Sequence, residues 1–179
     1  MSDKIEVINL GSEQEGSNKV VDKRRLIGYD ILDGIKPDKR LAMKLRHINF
    51  HESSLDYMNA SNEPIEIKYE DIDHIVISMC SRLNNWGVFS ELYYYLDLDI
   101  HTNGDVYKLE LHNTRNAPNI LELIKDNNIK YEDEVGVYKL FEEHSDHLAR
   151  HRYFQAHFKE IAKEFNLDNP RDPKPFRSY

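Results

Sequence analysis

The sequence predicts an α+β chain: a small, strongly bent antiparallel β-sheet or barrel of about seven strands, a capping helix and a long C-terminal amphipathic helix. Three observations carry this reading. Short apolar stretches with period-two alternation recur between residues 26 and 112, separated by turn residues. The pair Asn103-Gly104 sits between two of these stretches and marks a hairpin. From Asn116 onward the apolar residues recur every three or four positions, which is the period of a helix.

Taken in order, residues 1–23 read as an N-terminal extension, because 11–23 are polar and rich in Gly and Ser. Leu26–Leu32 is an apolar strand bounded by the turn signals Asp33-Gly34 and Pro37-Asp38. Leu41, Met43 and Leu45 alternate toward Phe50 in a second strand, and Ser53–Met58 forms a third that ends in the turn cluster Asn59–Glu63. Ile65–Tyr69 and the β-branched Ile72–Met79 follow, and Cys80–Glu91 is expected to be a loop. Leu92–His101 and Val106–His112 pair across Asn103-Gly104, which suits the two positive-φ positions of a type I′ turn. Asn116 is placed to cap a helix that has Pro118 in its first turn and ends at Asn127-Asn128. A β-domain of 24–131 is thereby set off from a helical extension of 132–169, which is one helix or two with a joint near Ser145-Asp146. Pro170, Pro173 and Pro175 make 170–179 a Pro-rich extended tail.

Composition narrows the class. Of 179 residues 40% are hydrophobic and 11% aromatic, enough for a core, and no apolar run approaches the roughly 18 to 20 residues of a membrane span. Met1–Glu6 carries no apolar h-region, and the single cysteine, Cys80, excludes an internal disulfide, so a cytoplasmic protein is expected. The net charge of −8 is uneven: 47–147 holds 7 basic against 20 acidic residues, flanked by basic segments at 19–46 and 148–179. An acidic centre does not displace the counterions of a nucleic acid, so no nucleic-acid partner is expected, and no membrane association either.

Residues 64–79 read Pro-Ile-Glu-Ile-Lys-Tyr-Glu-Asp-Ile-Asp-His-Ile-Val-Ile-Ser-Met. This resembles the I-x-Y-x-D-I-x-x-I segment of bacterial pleckstrin-homology-like domains and the related GRAM domains. The later Leu-Asp-Leu-Asp-Ile-His-Thr-Asn-Gly-Asp-Val-Tyr-Lys-Leu-Glu-Leu is similar to their last hairpin, and Asn116–Asp126 falls at their capping helix. The resemblance covers about 24–127. It implies a fold more than a function, since this scaffold hosts binding of phosphoinositides, peptides and proteins, and catalysis on it is rare.

Three sets of residues are candidates for chemistry or contact. Lys39, Lys44 and Arg46 resemble the cations with which some pleckstrin-homology domains hold inositol phosphates, and a solvated strand face is the plain alternative. His144, His147 and His151 share a helical face at spacings that can chelate a metal. They equally continue the apolar stripe of Phe141, Leu148 and Phe158 as packing residues. Trp86 and Phe89, near Tyr93–Tyr95, offer aromatic anchors for a contact surface, and Phe154, Phe158, Ile161 and Phe165 need cover from the β-domain or from a second copy. Asp71/Asp73 and Asp97/Asp99 alternate on strands, so each pair faces one side, where it suits a divalent cation or, more commonly, a solvated face of the sheet. No nucleophile motif surrounds Cys80 and no glycine-rich phosphate loop occurs, so neither catalysis nor a cofactor is indicated. The expected function is protein association, with the protein itself among its partners. Anionic lipid or phosphate binding is the first alternative, and metal binding by the histidine helix the second.

Overall fold

A computed structural model of the chain describes residues 25–35, 45–59, 61–86 and 89–169. Among these residues there are eight strands: β1 (Leu26–Leu32), β2 (Arg46–Phe50), β3 (Ser54–Met58), β4 (Pro64–Lys68), β5 (Ile72–Trp86), β6 (Phe89–Thr102), β7 (Val106–Leu111) and β8 (Tyr131–Glu132). Three α-helices accompany them: α1 (Ala117–Asp126), α2 (Val137–Glu143) and α3 (His147–Glu164). The strands form one curled, open half-barrel sheet in the order β4-β3-β2-β1-β7-β6-β5-β8. The sheet has eight strands where about seven were expected, and β8 is a two-residue segment at the edge of β5.

The sheet is not wholly antiparallel, which corrects the expectation. β1 runs parallel to both of its neighbours, β2 and β7, and β8 runs parallel to β5. Residues 33–45 separate β1 from β2, about the dozen that a parallel crossover takes, whereas an antiparallel hairpin needs only a tight turn. At the β1–β2 seam the backbones approach closely. A Cβ on Gly28 would lie 2.6 Å from Ile48 Cγ1 and 3.1 Å from the Arg46 carbonyl oxygen, so only glycine fits without a shift.

One core holds the sheet and the helices together. Ile75, Ile77 and Met79 of β5, Leu96, Leu98 and Ile100 of β6, and Leu109 and Leu111 of β7 are buried on its sheet side. Ile120, Leu121 and Ile124 of α1 join them, as do Val137 and Phe141 of α2 and Phe154, Phe158 and Ala162 of α3. The C-terminal helices therefore complete the core of the β-region. The joint between α2 and α3 falls where Ser145-Asp146 suggested, with the Asp146 carboxylate accepting from the Ala149 N–H at 2.9 Å as an N-cap.

Two local expectations are corrected. Asn116 does not cap α1 with its side chain; its Nδ2 donates to the Asp30 carbonyl oxygen on β1 instead. In the Asn103-Gly104 turn only Gly104 takes a positive φ (101°), so the turn is not type I′. Among the described residues no helix is long and apolar enough to cross a membrane.

Candidate functional site

Residues 80–86 and 89–91 are strand and not loop. β5 and β6 pair without interruption from His74↔His101 to Trp86↔Phe89. Ser81, Asn84 and Asn85 read as loop residues by composition. In the fold they continue an antiparallel ladder whose partner strand carries Leu92 and Tyr93–Tyr95, and cross-strand pairing outweighs their own propensity. β7 pairs with β6 only over Leu96–His101, and β8 covers only Ile75–Val76 of β5. Among the described strands, the outer half of the hairpin thus extends beyond its neighbours as a two-stranded arm. Trp86 and Phe89 occupy opposite register positions at its end, and Leu83 is 48% exposed along it.

α3 braces the base of this arm. The Tyr94 ring lies 5.5 Å from that of Phe154, 5.0 Å from that of Phe158 and 5.6 Å from that of His151, measured between centroids. Phe154 and Phe158 are buried within the chain, while Ile161 and Phe165 are half-buried. Phe154 and Phe158 are covered by Tyr94 of the chain's own sheet.

The opposite face of the same strands carries the buried Cys80 on β5, Asp97 on β6 and Glu110 on β7, with the half-buried Arg82 of β5 beside them, and alternation puts them there. Cys80, Asp97 and Glu110 each bring a ligand atom within 4.8 Å of the others, the one such group of three among the described residues. Glu110 is fully buried and is gripped by Arg82, through Nε to Oε1 at 3.1 Å and Nη2 to Oε2 at 2.5 Å. His112 Nε2 lies 2.7 Å from Glu110 Oε1, and its ring stacks on that of Tyr95 at 3.7 Å between centroids. Burial would raise the pKa of Glu110, but the hydrogen bonds from His112 and Arg82 and the charge of Arg82 outweigh it and hold the group at about 2. Burial pushes Asp97 up to about 7, with Glu110 adding and Arg25 opposing. The Cys80 thiol donates to Asp97 Oδ1 at 3.5 Å, and burial, with Asp97 and Glu110, raises its pKa well above the ordinary value.

This chemistry is that of an internal ion-pair network. A nucleophile needs a thiolate, and here the neighbouring carboxylates and burial hold the proton on sulfur. A divalent cation on the three residues would have to displace Arg82 from Glu110 and sit beside Arg25, whose Nη1 is 3.7 Å from Asp97 Oδ2, so the group fits a metal poorly. The expectation of a solvated Asp97/Asp99 face is corrected: Asp97 is 6% exposed and Asp99 pairs with Arg25 at 2.7 Å. Sequence reading missed Glu110, Arg82 and Arg25. The only available signal was a charged residue in an alternating strand, which ordinarily marks a solvated face.

The remaining candidates separate. Lys39 and Lys44 lie outside the described residues, and the Arg46 guanidinium donates to the Met58 and Asn59 carbonyl oxygens. The histidines of the C-terminal region turn to different neighbours. His144 stacks on Tyr153 at 4.1 Å, His147 Nε2 meets Thr114 Oγ1 at 2.8 Å, and His151 Nε2 lies 3.4 Å from Glu91 Oε1. On the other side of the sheet order, at β2–β3, His51 is bracketed by Asp33 at 2.9 Å and Asp56 at 2.5 Å, which occupies both ring nitrogens. Comparison with protein-family models, with curated proteins and with solved structures finds no match to this chain.

Proposed function

We propose that this chain is a non-catalytic intracellular protein on a pleckstrin-homology-like scaffold that acts by protein association, with a second copy of itself as the partner. The observation that carries the reading is the two-stranded arm of β5 and β6, which ends on the register pair Trp86↔Phe89 and exposes Leu83. Two such arms are self-complementary about a twofold axis, the commonest symmetry of soluble oligomers, and central aromatic residues supply most of the energy of such contacts. Support for the scaffold comes from the curled sheet and from α1, which follows the last hairpin and packs on the core face. The non-catalytic part rests on the polar groups described above, whose reactive atoms are engaged with one another.

Sedimentation equilibrium of the full chain tests this directly. A concentration-dependent dimer is expected, and Trp86→Ser with Phe89→Ser should weaken it by at least about tenfold while the fold is kept. A chain that stays monomeric to millimolar concentration, or a dimer indifferent to both substitutions, overturns the reading.

A further inference from the structure

At the first turn of α3 a small cavity of about 40 Å³ opens between that helix, the start of α1 and the core face of β6. Its apolar wall is formed by Met79, Leu96, Phe141 and Phe154. Its polar side is formed by Thr114, His147, Arg150 and His151 with the rings of Tyr93 and Tyr94 beside them, and no carboxylate is among the residues that line it.

Arg150 is the unusual member. It is 4% exposed, and no carboxylate pairs with it among the described residues. Its Nη1 donates to the His144 and Ser145 carbonyl oxygens, both at 3.0 Å, and its Nη2 to that of Thr114 at 3.4 Å. A guanidinium has five N–H donors, so two remain unspent among the described residues. A buried cation is ordinarily paired with an anion, because carbonyl dipoles recover only part of its lost hydration. His151 adds a second unmet need. Its Nε2 is buried and makes no hydrogen bond, the Glu91 carboxylate at 3.4 Å lying outside bonding geometry. The electrostatics agree: burial lowers the pKa of His147, and Arg150, Arg115 and His151 add to the lowering against Asp146 alone.

We propose that this cavity binds a small oxyanion, a carboxylate or a sulfate- or phosphate-like group, on the free donors of Arg150 with His147 and His151 beside it. The planar fork of arginine suits two oxygens of such a group, and the apolar wall excludes the water that would screen the contact. The cavity touches the base of the hairpin arm at Tyr93 and Tyr94 but involves neither Leu83 nor the register pair at its end, so its failure would leave the association reading standing. The competing role for Arg150 is purely structural, as a cap on the last carbonyls of α2.

The test is a nuclear magnetic resonance titration of the full chain with sodium sulfate and with sodium acetate, each against sodium chloride at equal ionic strength. The expected result is saturable movement of the Arg150 Nε–H signal and of the His147 and His151 ring signals, with chloride at least about tenfold weaker. Preference for sulfate points to a phosphoryl-type source, and preference for acetate to a carboxylate. Arg150→Lys keeps the charge and loses the fork, and should weaken the better anion by about tenfold. If that variant does not fold, His151→Leu serves in its place and should weaken binding about threefold, since it removes one of the cavity's donors. Signals that move no further with sulfate or acetate than with chloride, or that move mainly outside the cavity, overturn the proposal and leave Arg150 as a helix cap.

Discussion

Arg82 reaches across the sheet from β5 to clamp Glu110 of β7 with two hydrogen bonds, and the carboxylate it holds is completely buried. β6 lies between those two strands, so the pair ties three strands together from the face opposite the core. Removing one partner strands the other. Glu110→Gln or Arg82→Met is expected to cost about 3–5 kcal/mol, measured by urea denaturation. Arg82→Met combined with Glu110→Met should cost clearly less than the sum of the single changes. Glu110 also has a pH signature. Its folded pKa of about 2 lies below the ordinary 4.5, so its stabilisation is present above about 4.5 and is lost as pH falls toward 2.

Asp30 and Asp97 act with the opposite sign. Burial raises each to about 7, and one carboxylate oxygen of Asp30 has no partner. Each binds its proton more tightly when folded, so the stability it confers is present below about 4 and is lost as pH rises toward 7. Urea midpoints are expected to fall between pH 5 and pH 8, and Asp30→Asn should flatten that fall. A midpoint that rises over this interval in the unsubstituted protein would contradict both assignments.

Gly28 is set where β1 and β2 meet. Gly28→Ala drives a methyl group into the buried side chain of Ile48 and close to the Arg46 carbonyl oxygen. A loss of about 1–3 kcal/mol is expected from overpacking, read as a lower thermal midpoint. Gly28→Ala with Ile48→Val should recover part of it.

Phe158 packs inside the chain against Tyr94 and Phe154. Phe158→Ala is therefore expected to cost about 3–5 kcal/mol, and the loss should not change with protein concentration. A loss that shrinks on dilution would place Phe158 in an interface between copies instead.

Much of the fold was legible locally because strands and helices announce themselves by period. β1, β3, β4, β7, α1 and the break between α2 and α3 fall at or near their expected places, each marked by alternation, by turn residues or by an N-cap such as Asp146. The site was much less legible. Asp97 and Glu110 alternate as a solvated face would, and only the arrival of Arg25 and Arg82 shows that they are buried. The histidines at 144, 147 and 151 share helical spacing, yet Tyr153, Thr114 and Glu91 draw them apart.

By itself the sequence determined the class, α+β, and the places of most elements, because these follow from short-range periodicity and side-chain hydrophobicity. The tertiary structure alone decided that β1 is parallel to both neighbours, that 80–86 and 89–91 are strand and not loop, and that Arg150 is buried with no carboxylate paired to it among the described residues. Each of these depends on residues far apart in the chain meeting at one place, and a contact across 84 positions, such as that of Arg25 with the Leu109 carbonyl oxygen, leaves no local pattern to read.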